Sequence, residues 1–256
     1  MKIIDLSIAL EPGGFYDPPA GRPQIRYFDH QQSTPQMLEC FPSVDAGDLP
    51  NGLAWAVEEL KVGSHTGTHV DAPWHYYPTM NNGEKAWTID EVPLEWFFGD
   101  GVVVDFSGKP DGYQVMAEDF RREFARIGYT YKAGDIVLVH TAAAVKAGTE
   151  EYLFSGCGVG REGTLWLIDQ GMRVCGTDAW SWDRPFMYVD REYQETRDKN
   201  LIWEGHLAGK EKAYCQIEKL TNLDRLPPVG FKVICLPIKI KGGSAGWSRV
   251  VAILET

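Results

Sequence analysis

The sequence has no CxxC pair, no apolar run long enough to span a bilayer and no basic stripe. The first absence excludes zinc ribbons and thioredoxin-type redox motifs. The five cysteines, Cys40, Cys157, Cys175, Cys215 and Cys235, are odd in number and widely spaced, so reduced thiols in a cytoplasmic protein are expected. The second absence excludes a transmembrane helix. The N-terminal Met1 to Leu6 meets an acidic residue at Asp5 and reads as a first strand, not a signal peptide. The third, with 36 acidic against 25 basic residues, argues against nucleic acid or anionic lipid as a partner.

Repeats, low-complexity tracts and Pro/Gly/Ser linkers are also missing. With 44% hydrophobic residues over 256 positions, one domain with a sizeable core is expected. Strand-like and helical segments alternate, which predicts an α/β or α+β protein. Strands are expected at 2–9, 54–62, 101–106, 135–140, 172–176, 231–240 and 249–254, from β-branched or alternating runs. Helices are expected at 117–127, 163–170 and 207–214. Residues 11–51 are rich in Pro, Gly and scattered aromatics. A long irregular segment of this kind suggests a lid or an oligomer contact.

What is present in excess is histidine, locally. Three of the six, His65, His69 and His75, fall within eleven residues, with Asp71 among them. Histidine and carboxylate together suit zinc, manganese or iron. In a helix Asp71 would point away from His69, and Gly67 and Pro73 oppose a helix. In an extended chain, His65, Gly67, His69, Asp71, Pro73 and His75 share one side, because all are odd-numbered. That reading makes Thr68 and Val70 core-facing and excludes a helical HExxH site. Burying so many polar groups without a cation would be costly.

The segment from His65 to His75 resembles the HxGTHxDxPxH signature of the cyclase family of metal-dependent hydrolases, which includes bacterial kynurenine formamidase and isatin hydrolase. Two further matches are His206 followed twelve residues later by Glu218, and the Gly-rich ending from Lys241 to Arg249. The resemblance runs from about residue 55 onward. It implies a swivelling β/β/α fold with a β-barrel-like core, and a homodimer or homotetramer. It also implies that His65, His69 and Asp71 bind a divalent metal, Zn2+ or Mn2+, and that His75 is the general acid/base. His206 and Glu218 would complete the site, as ligands of a second ion or as supporting partners. Asp178 matches a family position near the active site, as an orienting residue or a turn cap. One departure is His140-Thr141-Ala142, where many relatives carry Arg-Thr-Gly. It falls in a region expected to line the substrate pocket, and it weakens a formamidase reading.

A metal that polarises a carbonyl and activates water, beside a histidine that moves protons, suits amide or ester hydrolysis. Trp74, Tyr76, Tyr77, Trp87, Trp180, Trp182 and Trp203 are expected to crowd the pocket and to favour a flat aromatic or conjugated substrate. Trp74, Trp180 and His140 are the expected substrate contacts. A cyclic amide of isatin type fits best. N-formylkynurenine, an unsaturated lactone, a condensing or dehydrating reaction, and a non-catalytic metal-binding role are the alternatives. Gly242-Gly243-Ser244-Ala245-Gly246 matches GxSxG, but a serine hydrolase elbow needs a later histidine and none follows His206.

Overall fold

The computed structural model describes residues 1–254 and is built on a nine-stranded sheet. Its strands, in chain order, are β1 (Lys2–Asp5), β2 (His69–Asp71), β3 (Phe98–Asp105), β4 (Ile136–His140), β5 (Val174–Thr177), β6 (Cys215–Glu218), β7 (Phe231–Ile234), β8 (Ala245–Trp247) and β9 (Val251–Leu254). The spatial order is β1-β9-β7-β3-β4-β5-β6-β2-β8. The central strands β3, β4, β5 and β6 run parallel. Antiparallel strands extend both flanks. The α-helices are α1 (Thr34–Cys40), α2 (Pro73–Tyr76), α3 (Ala117–Arg126), α4 (Arg161–Asp169), α5 (Phe186–Thr196) and α6 (Glu204–Leu207).

The central strands are apolar on both faces, as parallel strands covered on both sides must be. Val103, Ile136, Leu138, Val174, Cys215 and Ile217 join Ile4, Val70, Val233 and Ala252 in one core, inside the curl of the sheet. Their neighbours Val102, Val104, Val137, Val139 and Cys175 point the other way, towards Phe120 and Phe124 of α3 and Leu167 of α4. Phe120 and Phe124 are four residues apart and therefore share one helix face. Asp119 accepts the Met116 N–H at 3.0 Å and closes the N-terminus of α3.

The mixed α/β architecture with a curled sheet is as expected, but several elements differ in extent. Residues 11–51 are not irregular throughout. They hold α1 and a strand, Gln24–Phe28, that pairs antiparallel with Val57–Lys61. The helix expected at 207–214 lies earlier, as α6 and a 3-10 turn at Ala208–Lys210. The strand expected at 231–240 stops at Ile234. Helix α5 was not foreseen; none of its residues is buried, although Phe186, Val189 and Tyr193 recur at helical spacing.

Candidate metal centre and cavity

Strand β6 alternates between core and site. Cys215 and Ile217 enter the core, so Gln216 and Glu218 face the opposite side. Strand β2 does the same, with Val70 in the core and His69 and Asp71 opposite. The antiparallel register sets Gln216 beside Asp71 and Glu218 beside His69. Four polar side chains thus meet on two adjacent strands.

His65 and His75 reach the same point from outside the strand. The expectation of one extended run from 65 to 75 is corrected here. Gly67 has a left-handed backbone (φ +65) and turns the chain ahead of β2. Pro73 opens the single turn α2, where its missing N–H costs nothing, and α2 carries His75. The convergence inferred from parity is real, but a turn, a strand and a helical turn produce it.

Each residue of the Thr66-Gly67-Thr68 turn is tied down. The Thr66 hydroxyl donates to the Gly21 carbonyl at 3.0 Å. The Gly67 N–H donates to Asp17 Oδ2 at 2.9 Å. The Thr68 hydroxyl donates to the Lys219 carbonyl at 2.6 Å and accepts the Ile8 N–H at 3.0 Å. Thr68 is buried as expected, although for its hydrogen bonds and not for apolar packing.

At the centre, Asp71 Oδ1 lies 2.8 Å from His65 Nδ1 and 3.1 Å from His69 Nε2. Neither contact has hydrogen-bond geometry, so this buried carboxylate oxygen has no donor. His69 Nδ1 donates to the Gly67 carbonyl at 2.8 Å, which leaves Nε2 without a proton, facing Asp71, His65 Nδ1 at 3.2 Å and Glu218 at 3.7 Å. His65 Nε2 lies 2.9 Å from Ser244 Oγ; with its proton there, Nδ1 is bare. Two groups have donor atoms close enough together to hold a metal ion: His65, Asp71 and His75, and His69, Asp71 and Glu218. An orphaned carboxylate oxygen facing bare imidazole nitrogens is a donor set that a divalent cation fits.

His206, on α6, stands on the other side of Asp71. Its Nδ1 bonds Asp183, whose carboxylate also accepts the Gly205 and His206 N–H groups at the start of α6. Its Nε2 faces Glu218 Oε1 at 3.5 Å and Asp71 Oδ2 at 3.9 Å. Burial opposes protonation of His206, yet its bonds to Asp183 and Glu218 push it up to about 10. Burial would raise Asp71, but the charges of His69 and His75 and the contacts with His65 and His69 hold it well below the usual carboxylate range. His75 Nε2 is 4.0 Å from Asp71 Oδ2, and burial pushes its imidazole down to about 4. A neutral imidazole beside the ligand set is what a proton acceptor at neutral pH requires.

These residues form the base of a cavity of about 950 Å³. His65, His75, His206 and Glu218 line it, as does Trp180; His69 and Asp71 lie beneath. Trp203 stacks on His206 at 4.5 Å and meets His75 edge-on at 5.1 Å. Of the other aromatics expected at the pocket, Trp182 is buried with its N–H on Thr164, Tyr76 stacks on Tyr214, and Trp87 packs against Trp96. Trp74 and Tyr77 are exposed and do not line the cavity. His140 is also outside its wall; Nδ1 lies 3.3 Å from Asp105, and Nε2 lies 3.9 Å from Asp178. Asp178 accepts both the N–H and the hydroxyl of Thr141 at 2.7 Å, which caps the loop after β4. Phe186, Val189 and Tyr193 of α5 and Ile202 supply wall that sequence reasoning missed. Asp183 carried no motif signal. Ser244 lay in the Gly-rich ending from Lys241 to Arg249, and Gln216 shares the strand parity of Glu218.

A family model described as "Putative cyclase" matches residues 4–184. The chain belongs to the cyclase family. It is 31% identical over 193 residues to the kynurenine formamidase of Salinibacter ruber, covering 75% of this chain and 77% of that one. It is 26% identical over 238 residues to the kynurenine formamidase of Erythrobacter litoralis, covering 89% and 94%. Isatin hydrolase A from Labrenzia aggregata, solved with benzyl benzoate, superposes with a TM-score of 0.73 at 25% identity, over 100% of this chain and 94% of that one. Among the described residues no helix is long and apolar enough to cross a membrane.

Proposed function

We propose that the protein is a metal-dependent hydrolase that opens an amide or ester carbonyl within a flat, uncharged ring, with a cyclic amide of isatin type as the leading substrate. The observation that carries this is the orphaned Asp71 oxygen facing bare nitrogens of His65 and His69 at the base of an aromatic-walled cavity, with neutral His75 beside it. His65, His69 and Asp71 would hold Zn2+ or Mn2+, with Glu218 and His206 completing the set for one ion or two. A divalent cation supplies positive charge that polarises a carbonyl and makes water acidic near neutral pH. His75 takes the proton of the attacking water and delivers it to the leaving nitrogen or oxygen. Trp203 and Trp180 present flat apolar faces to the substrate ring.

The likeness to kynurenine formamidases supports a second reading, with N-formylkynurenine as substrate. Its amino-acid carboxylate would need a cation. Among the described residues, the only lysine or arginine lining the cavity is Lys219, whose ammonium already donates to Asp17 and the His65 carbonyl. This favours an uncharged substrate, cyclic amide or unsaturated lactone. Absorbance of isatin ring-opening, before and after chelation and metal return, tests the proposal. Turnover lost with chelator and restored by metal is the expected result. A metal-loaded protein inert to isatin but active on N-formylkynurenine would overturn the cyclic-amide assignment and leave the hydrolase class.

A further inference from the structure

Asp17 and Lys219 form an ion pair in the cavity wall, both side chains about 95% buried or more. They come from distant parts of the chain, separated by 202 positions. Lys219 follows Glu218 directly and has a left-handed backbone (φ +61), a strained state for a side chain this large. Its backbone is held on both sides. Its N–H donates to the Ala179 carbonyl at 3.1 Å, and its carbonyl accepts the Thr68 hydroxyl.

The side chains act on the same turn. Lys219 Nζ donates to Asp17 Oδ1 at 2.6 Å and to the His65 carbonyl at 2.7 Å. Asp17 Oδ2 accepts the N–H of Gly67, two residues on. One pair therefore grips the His65–His69 turn by a carbonyl and by an N–H, and anchors it to the strand end that carries Glu218. An apolar pair of equal volume would give comparable or greater fold stability. An apolar pair could not hold the His65 carbonyl and the Gly67 N–H, which this pair binds beside the turn's other hydrogen bonds.

We propose that Asp17 and Lys219 are positioning residues of the metal centre. They set the spacing of His65 and His69 against Glu218, so a residue near the start of the chain and one 202 positions later control metal affinity without touching the metal. This inference rests on the metal-site reading above.

The test uses the full chain and the variants Asp17→Asn, Lys219→Met and the double variant Asp17→Asn/Lys219→Met. Two quantities are read: thermal unfolding in chelator, and Zn2+ and Mn2+ Kd by chelator competition. The single variants each leave a buried charge unpaired and should melt lower. The double variant carries no unpaired charge and keeps an acceptor for Gly67, so it should recover most of that loss. Its metal affinity should stay about 10–100-fold weaker than the parent's, because the His65 carbonyl has lost its donor. Restored melting with a Kd within about twofold of the parent would overturn the positioning role and leave the pair as fold support. A parent chain that binds neither ion would overturn the metal reading itself, which is a separate result.

Discussion

On the sheet side of the cavity, His69, Asp71 and Gln216 are fully buried, held in register on two hydrogen-bonded strands and tied to the N-terminal segment. On the opposite side, α5 has no buried residue, and Phe186 and Ile202 are 50% and 48% exposed. The same cavity thus has a rigid base and a loosely packed wall. Donor atoms need placement to a fraction of an ångström, and a core-backed sheet supplies it for His69, Asp71 and Glu218. A substrate ring needs apolar surface, which exposed side chains supply with more latitude. Local stability follows the density of buried contacts, so the wall belongs to the part of the molecule that opens most readily.

Breaking the base should have the largest effect. Asp71→Asn removes the charge that four histidines surround, and metal content by atomic emission should fall to background along with turnover. Next is His75→Asn. If His75 only moves protons, kcat should fall by about 10²–10⁴-fold with metal content unchanged. Loss of metal as well would place His75 with His65 and Asp71 as a ligand, the grouping its geometry also permits.

Gly67→Ala sharpens the comparison at the turn. A Cβ there would lie 2.6 Å from Leu10 Cδ2, on a backbone that side chains rarely adopt. A cost on the order of 1–3 kcal/mol is expected, read as a lower midpoint in denaturant. In the wall, Phe186→Ala or Ile202→Ala should raise KM by roughly tenfold and leave the melting temperature nearly unchanged. A large drop in melting temperature would mean that the wall is as structural as the base.

The last test concerns pH in the metal-free protein. His206 titrates at about 10 when folded, against about 6.5 when unfolded. Its protonated form therefore stabilises the fold fully below about pH 6.5, and that contribution is lost as pH rises through about 10. Metal-free melting temperatures should decline across this window. Metal binding at His206 would displace the same proton, so the decline should be weaker in the loaded protein.

The sequence made the base far more legible than the wall. The β-branched runs of β3 and β4 and the helical spacing of Phe120 and Phe124 were visible because burial leaves apolar runs and periods in the chain. The histidine cluster was visible as a set of residue types, although its conformation was misread: an odd-numbered run looks extended, and only a φ value reveals the turn at Gly67. Glu218 was found through its motif. Asp183, the partner of His206, was not, because a carboxylate whose role is to hold His206 across 23 positions has no local signature. The pocket aromatics were overcounted because a buried Trp182 and a cavity Trp180 look alike in one dimension. Exposed α5 was missed although Phe186, Val189 and Tyr193 recur at helical spacing, because three apolar residues among charged neighbours make a short stripe.

The long reach of the site's contacts bears on how the protein is made. His65 meets Ser244, Asp71 meets Gln216, and Asp17 meets Lys219, across separations of 179, 145 and 202 positions. A ribosome-bound chain that has exposed the histidine motif still lacks most of what holds it in shape. Such high-contact-order closure is slow, because loop entropy is lost before the pairing that repays it can form. An ion is thus more apt to lock the finished fold than to nucleate it, and refolding rates in chelator and in metal should differ less than unfolding rates do.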